Sequence, residues 1–194
     1  MFLARRPSAQ DIDRFLDDSR ELPLSYHSIG MVREKPRDRA CDEEVVVIGH
    51  GKQDFERARA ALMTWKQFEI GWVETFPPQA CVEVGTVVAV LMHHLGFWSL
   101  NGARVLYRVG AADGDARFGF AYGTLTNHAE SGEELFEVFF DPRSGDVMYR
   151  IRAVSWPQTT LARIGQPIVR TLQARFRRDS AAAMTRATRD AMRG

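Results

Sequence analysis

Apolar residues along this chain keep two different rhythms. Near Ile12 and again from Phe55 to Phe68 they recur at helical spacing, whereas between Val82 and Val154 they mostly alternate as on one side of a strand. The first helix is predicted over residues 8–19. It opens Ser8-x-x-Asp11, a pattern in which each side chain satisfies the other's backbone N–H, and then sets Ile12, Phe15 and Leu16 on one face. Leu22-Pro23-Leu24 ends it. Residues 24–32 read as extended, and residues 34–44, dense in charge and holding Pro36, read as a solvated loop. Val45-Val46-Val47-Ile48 is a β-branched run that stops at Gly49-His50-Gly51. Asp54 is placed to cap a second helix whose buried face is Phe55, Ala58, Ala61, Leu62, Trp65 and Phe68. That helix should end near Gly71, with Phe76-Pro77-Pro78 extended beyond it.

Strands follow, predicted at residues 82–92, 103–109, 117–125, 134–140 and 147–154. In the last, Val147, Tyr149, Ile151 and Ala153 point one way and Met148, Arg150 and Arg152 the other. Asp113-Gly114-Asp115, Ser131-Gly132 and Ser144-Gly145-Asp146 supply turns, and connections this short join antiparallel neighbours. After Trp156-Pro157 the rhythm is helical again. Leu161 and Ile164 make a first turn, Gly165-Gln166 interrupts, and Pro167 suits the start of a helix running to Met192 with Ile168, Leu172, Phe176 and Ala183 near one stripe. Such a helix spans about 39 Å at about 1.5 Å per residue, enough to cross a sheet.

The fold class that follows is α+β. A curved antiparallel sheet wraps around the long C-terminal helix, with shorter helices in the N-terminal half, an order of elements that resembles a helix-grip (START-like) domain. A single domain over 1–194 is expected, with 1–21 as an N-terminal helical arm and 158–194 as the C-terminal helix. Folds of this kind leave room for a cavity between sheet and helix.

Composition narrows the partners. Lys+Arg number 26 and Asp+Glu 25, and 45% of residues are hydrophobic, the balance of a folded chain rather than a disordered one. The neutrality is regional, however. Residues 161–194 hold eight arginines and two aspartates, 8 − 2 = +6, which leaves 1 − 6 = −5 for the rest. Nucleic acid is not expected as a partner, and the basic helix reads as a solvated face partly paired with the protein's own acidic loops. Two cysteines, Cys41 and Cys81, make no disulfide framework. The N-terminus has no apolar core of a signal peptide, and the longest apolar run, 84–95, is broken by Gly85, Thr86, His93 and His94 and is too short to span a bilayer. A cytoplasmic protein is expected.

Candidate chemistry gathers in residues 118–136. Phe118, Phe120, Tyr122 and Thr124 share one strand face, and Gly119, Ala121 and Gly123 the other, where small residues let another backbone, a helix or a ligand approach, or let the sheet bend. A loop with His128, Glu130, Glu133 and Glu134 follows. A histidine among carboxylates can be held protonated or oriented as a general base, and a tyrosine can donate a hydrogen bond to a bound oxygen. The expected cavity is lined by Phe120, Tyr122, Phe136 and Tyr149, with Leu172 and Phe176 from the helix, while Thr124, His128, Glu130 and Glu133 frame its polar end. No cofactor or metal is predicted. His93 and His94 are adjacent on a strand and point to opposite faces, and His128, Glu130 and Glu133 would need a further strong ligand.

The string from Phe118 to Phe136, Phe-Gly-Phe-Ala-Tyr-Gly-Thr-Leu-Thr-Asn-His-Ala-Glu-Ser-Gly-Glu-Glu-Leu-Phe, resembles the central signature of the family known as domain of unknown function 1990. Leu24-Ser25-Tyr26 with Gly30, Gly49-His50-Gly51 before Phe55, Trp65 through Gly71-Trp72-Val73, and Ser155-x-Pro157 leading to Gln173-x-Arg175-Phe176 resemble it too. The resemblance covers nearly the whole chain and carries no catalytic residue across. Trp156 stands where the family's pattern calls for a basic residue. Three functions are compatible with these residues. The favoured one is binding of a small apolar or amphipathic molecule in the sheet–helix cavity. The second is an enzyme in which Tyr122, His128 and Glu130 carry out acid–base chemistry such as a cyclisation, dehydration or hydrolysis. The third is an interaction protein that uses its basic terminal helix on an acidic partner.

Overall fold

The computed structural model describes residues 2–34, 40–110, 116–157 and 166–190. Eight strands form one antiparallel sheet: β1 (Phe2–Leu3), β2 (Asp42–His50), β3 (Val73–Phe76), β4 (Val87–His94), β5 (Phe97–Val109), β6 (Arg117–Thr124), β7 (Glu130–Phe140) and β8 (Asp146–Pro157). The spatial order is β2-β8-β7-β6-β5-β4-β3, and β1 pairs with the start of β5. Three helices, α1 (Ala9–Arg20), α2 (Gly51–Met63) and α3 (Gln166–Asp190), accompany it, with a 3-10 turn at Lys66–Phe68. This is the expected helix-grip arrangement, a curled sheet with a long C-terminal helix laid along it.

The two faces of the sheet are covered by different parts of the chain. The concave face buries Phe118, Phe120, Phe136, Val138, Tyr149 and Ile151 against α2, the 3-10 turn and α3, through Phe55, Leu62, Trp65, Phe68, Phe176 and Met184. The convex face takes the N-terminal segments. There Ile12, Phe15 and Leu16 of α1 pack on Ala89, Leu91 and Leu100, and Met31 and Val32 pack on Tyr107, Ala121, Leu135 and Val154. The strand parity read from the sequence is thus the parity of burial.

The Ser8–Asp11 capping box forms as expected, with the Asp11 backbone N–H donating to Ser8 Oγ at 3.2 Å and the Ser8 N–H to Asp11 Oδ2 at 3.1 Å. Other boundaries move. α2 starts at Gly51, not Phe55, and Asp54 acts from inside its first turn by accepting the His50 N–H at 2.8 Å. Residues 24–32 are turns rather than a strand and keep a single bridge, Leu24 to Leu125. The apolar run at residues 82–92 is a strand only from Val87, and a short β3 that the alternation did not predict precedes it at Val73–Phe76, ending just before the two prolines. Along α3 the buried residues are Phe176, Ser180, Ala181, Ala183, Met184 and Thr188, while Ile168, placed on the stripe by its spacing, is 51% exposed. The turn at 113–115, the helical turn at Leu161 and Ile164, and the end of the last helix at Met192 lie outside the described residues.

Candidate functional site

Between the concave face and α3 the side chains fail to meet, leaving a cavity of about 170 Å³. Its apolar wall is Phe68, Val73, Val90, Met92, Leu172 and Phe176. The Phe68 ring lies 5.3 Å from that of Phe176 and 5.4 Å from that of Phe136, so the aromatic core continues directly into this wall. The opposite wall is polar and built by the β6–β7 hairpin, with Tyr122, Thr124, His128, Glu130 and Glu134 along it and Gln173 of α3 facing it.

β7 begins at Glu130, so Glu130, Glu133 and Glu134 sit on a strand and not in a loop. Alternation then separates the last two. Glu134 lies across from Tyr122, and its Oε2 accepts the Tyr122 hydroxyl at 2.7 Å. Burial pushes its carboxyl up to about 7, against the pull of the Tyr122 bond and the Arg177 charge. Glu130 is also raised by burial, and its Oε2 accepts from Gln173 Nε2 at 2.9 Å. The same Gln173 nitrogen lies 3.0 Å from Ser155 Oγ, which ties α3 to β8 at the cavity rim. Arg177 lines the cavity, but its guanidinium is engaged outward by β2, 3.2 Å from Asp42 and 3.9 Å from Glu44.

His128 is held by its own loop. The Glu130 backbone N–H donates to His128 Nδ1 at 3.0 Å, and burial lowers the imidazole to about 4. A backbone amide is always a donor, so Nδ1 is the bare nitrogen of a neutral ring and the proton sits on Nε2. Of the two expectations for this histidine, held protonated by carboxylates or oriented as a general base, the first does not fit a ring that burial keeps neutral. The loop is anchored to the sheet by the Ala129 N–H, which donates to Asn101 Oδ1 at 3.2 Å.

The remaining predicted residues have other places. Glu133 has its carboxylate on the convex side, accepting the backbone N–H groups of Gly30 at 2.7 Å and Val32 at 3.3 Å. Thr124 reaches the cavity, but its hydroxyl is 2.6 Å from Ser25 Oγ and accepts the Gly132 N–H at 2.9 Å, so it is spent on structure. Phe120, Phe136 and Tyr149 lie in the aromatic core beneath the cavity, and the Tyr149 hydroxyl is 2.9 Å from Ser180 Oγ of α3. His128 and Glu130 share the cavity wall with Tyr122, and Glu133 also borders the cavity, although its carboxylate is turned to the convex side. Among the described residues no three His, Cys, Asp or Glu side chains are grouped to hold a metal ion. His93 stacks on Trp98 with ring centroids 4.3 Å apart, while its neighbour His94 lines the cavity beside Ser99, with Nε2 3.4 Å from the Ser99 hydroxyl.

Glu134, His94, Ser99, Asn101 and Gln173 are wall residues that the sequence-based lining omitted. For Glu134 a signal existed: it is two residues before Phe136 on a strand and so shares that residue's face. For His94, Ser99 and Asn101 the β4–β5 hairpin register was needed, which pairs Met92 with Ser99 and Val90 with Asn101.

Comparison with known proteins accords with this picture. A UPF0548 protein of Dictyostelium discoideum is 32% identical over 206 residues, spanning 96% of this chain and 95% of that protein. A UPF0548 protein of Deinococcus radiodurans is 33% identical over 200 residues, spanning 96% and 98%. Among solved structures, a hypothetical protein from Helicobacter pylori shares the fold at a TM-score of 0.55 with 11% identity, covering 86% of this chain and 99% of that one. Residues 25–183, which hold β2 to β8, α2 and most of α3, match the domain of unknown function DUF1990, and the chain belongs to that family.

Proposed function

We propose that this protein binds a small amphipathic molecule in the sheet–helix cavity, its apolar body against Val90, Met92, Leu172 and Phe176 and its polar end at the Tyr122–Glu134 pair, Glu130 and His128. The observation that carries this reading is the cavity's lining, an apolar wall facing a short polar one. A concave, mostly apolar space with a few convergent polar groups is the form that small-molecule sites take. An engineered apolar cavity of about 150 Å³ is known to take benzene, so the natural occupant here is on the scale of one ring or a short chain. The function is placed by us in a cytoplasmic setting; no helix among the described residues is long and apolar enough to cross a membrane.

The test is to purify the protein without organic additives, identify co-purified small molecules by mass spectrometry, and titrate the emptied protein with a one-ring apolar probe. Binding that disappears in Leu172→Trp, with the folded state intact by circular dichroism, supports the reading. A protein that co-purifies with nothing and takes up no probe overturns it.

A further inference from the structure

The polar wall discriminates among ligands by what it leaves unpaired. His128 is a fixed donor, because Nδ1 is occupied by the Glu130 backbone N–H and Nε2 carries the proton. No protein atom accepts that Nε2–H among the described residues, and His128 lines the cavity. Beside it stand two carboxyls, Glu130 and Glu134, each with one oxygen engaged by a protein donor, Gln173 Nε2 or the Tyr122 hydroxyl. Among the described residues the guanidinium on the wall is that of Arg177, and it is drawn outward to Asp42 and Glu44.

An incoming polar group must therefore accept from an imidazole N–H and donate to a carboxyl oxygen within the same small space. A carboxylate ligand could accept from His128 but would place a third acidic group against Glu130 and Glu134, with Arg177, the guanidinium on the wall among the described residues, already engaged by β2. An ammonium could pair with the carboxyls but has no lone pair for Nε2–H, and would take the place of water at that donor without replacing its hydrogen bond. A hydroxyl both accepts and donates. We propose that the cavity selects an uncharged alcohol or phenol on a one-ring or short-chain apolar body, its oxygen accepting from His128 Nε2 and its O–H donating to Glu130 or Glu134. This rests on the cavity-binding reading above, and extends it from a size to a chemical class.

The experiment uses four probes with nearly the same body and different heads: benzyl alcohol, benzylamine, benzoate and ethylbenzene, each titrated calorimetrically into the full chain at pH 7. Benzyl alcohol should bind at least tenfold more tightly than ethylbenzene, with benzylamine between them and benzoate silent. In His128→Phe the alcohol's advantage over ethylbenzene should fall to threefold or less while ethylbenzene still binds. If the variant does not fold, the wild-type ring serves instead. Nitrogen-15 spectra should show a neutral Nε2–H tautomer at pH 7 whose Nε2 resonance moves on adding benzyl alcohol and stays in place with ethylbenzene. Preference for benzylamine or benzoate, or an Nδ1–H tautomer, overturns the hydroxyl assignment and leaves cavity binding standing. Failure of all four probes, ethylbenzene included, overturns both.

Discussion

Glu133 and Glu134 are neighbours in sequence, and the sheet sends them into opposite circumstances. Glu133 is 2% exposed, and its two oxygens accept the backbone N–H groups of Gly30 and Val32, so that a carboxylate clamps the N-terminal segment onto the convex face. Arg152 completes that clamp by donating to the carbonyls of Val32 at 3.2 Å and Arg33 at 3.1 Å, while its Nε holds Glu43 at 2.6 Å. Glu134 meets one neutral hydroxyl and a cavity, and burial raises its carboxyl to about 7. The convex face uses its buried charges to fasten chain to chain. The concave face leaves its carboxyls with fewer donors, beside the cavity.

Removing each carboxylate in turn separates the two roles. Glu133→Ala strands two buried N–H groups, each costing about 1–3 kcal/mol, so a loss of about 2–5 kcal/mol is expected in urea unfolding. Glu134→Gln keeps the shape and an acceptor for Tyr122 while removing a carboxyl that burial penalises when ionised, so at pH 7 it should raise stability rather than lower it. Equal losses for the two would remove the distinction between a clamp and a cavity wall.

The next effect is a dependence on pH. Glu134 rises from an ordinary 4.5 to about 7, so the stability it confers is whole below pH 4.5 and is lost as pH climbs to 7. His128 falls from 6.5 to about 4, so its contribution is whole above pH 6.5 and is lost as pH drops to 4. Over the shared window the two slopes oppose each other, and the raised Glu130 carboxyl leans the same way as Glu134. Wild-type stability should thus change little between pH 4.5 and 6.5 on account of these groups. In Glu134→Gln the His128 slope is opposed by Glu130 without Glu134, and stability should fall by up to about 3 kcal/mol from pH 6.5 to 4, at no more than about 1.4 kcal/mol per pH unit. Parallel profiles for wild type and variant would show that these two groups do not titrate against each other.

A smaller effect tests why the convex face needs glycine. A Cβ on Gly123 would run into the Tyr26 hydroxyl and come within 2.8 Å of Leu106 Cδ1, because the N-terminal segment crosses the sheet at that point. Gly123→Ala should cost about 1–3 kcal/mol by overpacking. Adding Tyr26→Phe removes the nearest obstructing atom and should recover part of the loss, which a double-mutant cycle measures as coupling. No coupling would mean that Tyr26 yields without resistance.

How far these features could be read from sequence differs between the faces. On the concave side the parity of Phe118, Phe120 and Tyr122, and of Tyr149 and Ile151, follows from alternation alone and is what the sheet shows. The long helix was legible from Pro167 onward, although its inward face turned out to centre on Phe176, Ser180 and Met184, with Ile168 left outside. The convex clamp was not legible, because a carboxylate that binds backbone N–H groups a hundred residues away leaves no trace in local periodicity. Glu133, Gly30 and Val32 carry no pattern that joins them. The Gly119-x-Ala121-x-Gly123 face was legible as a place of close approach, and the approaching segment proved to be the chain's own Tyr26. Trp156, at the position expected to be basic, meets that same tyrosine edge-on with centroids 6.1 Å apart.

The smallest expected effect concerns the basic helix, which the regional charge count singled out. Arg177 of α3 lines the cavity and pairs with Asp42 and Glu44, which share the concave side of the edge strand β2, so it lies apart from the convex clamp. Asp42 is 56% exposed, so water and salt screen that pair. Arg177→Met keeps the stem that packs on the sheet and removes the charge, and it should cost at most about 1 kcal/mol of stability, diminishing further as salt is added. Its second consequence lies inside the cavity. The guanidinium favours the ionised form of Glu134, so its removal should move the Glu134 titration upward, read by carbon-13 resonances of the side-chain carboxyl. A Glu134 titration unchanged by the substitution would confine Arg177 to the edge of the sheet, and the cavity's acidity would then rest on burial and Tyr122 alone.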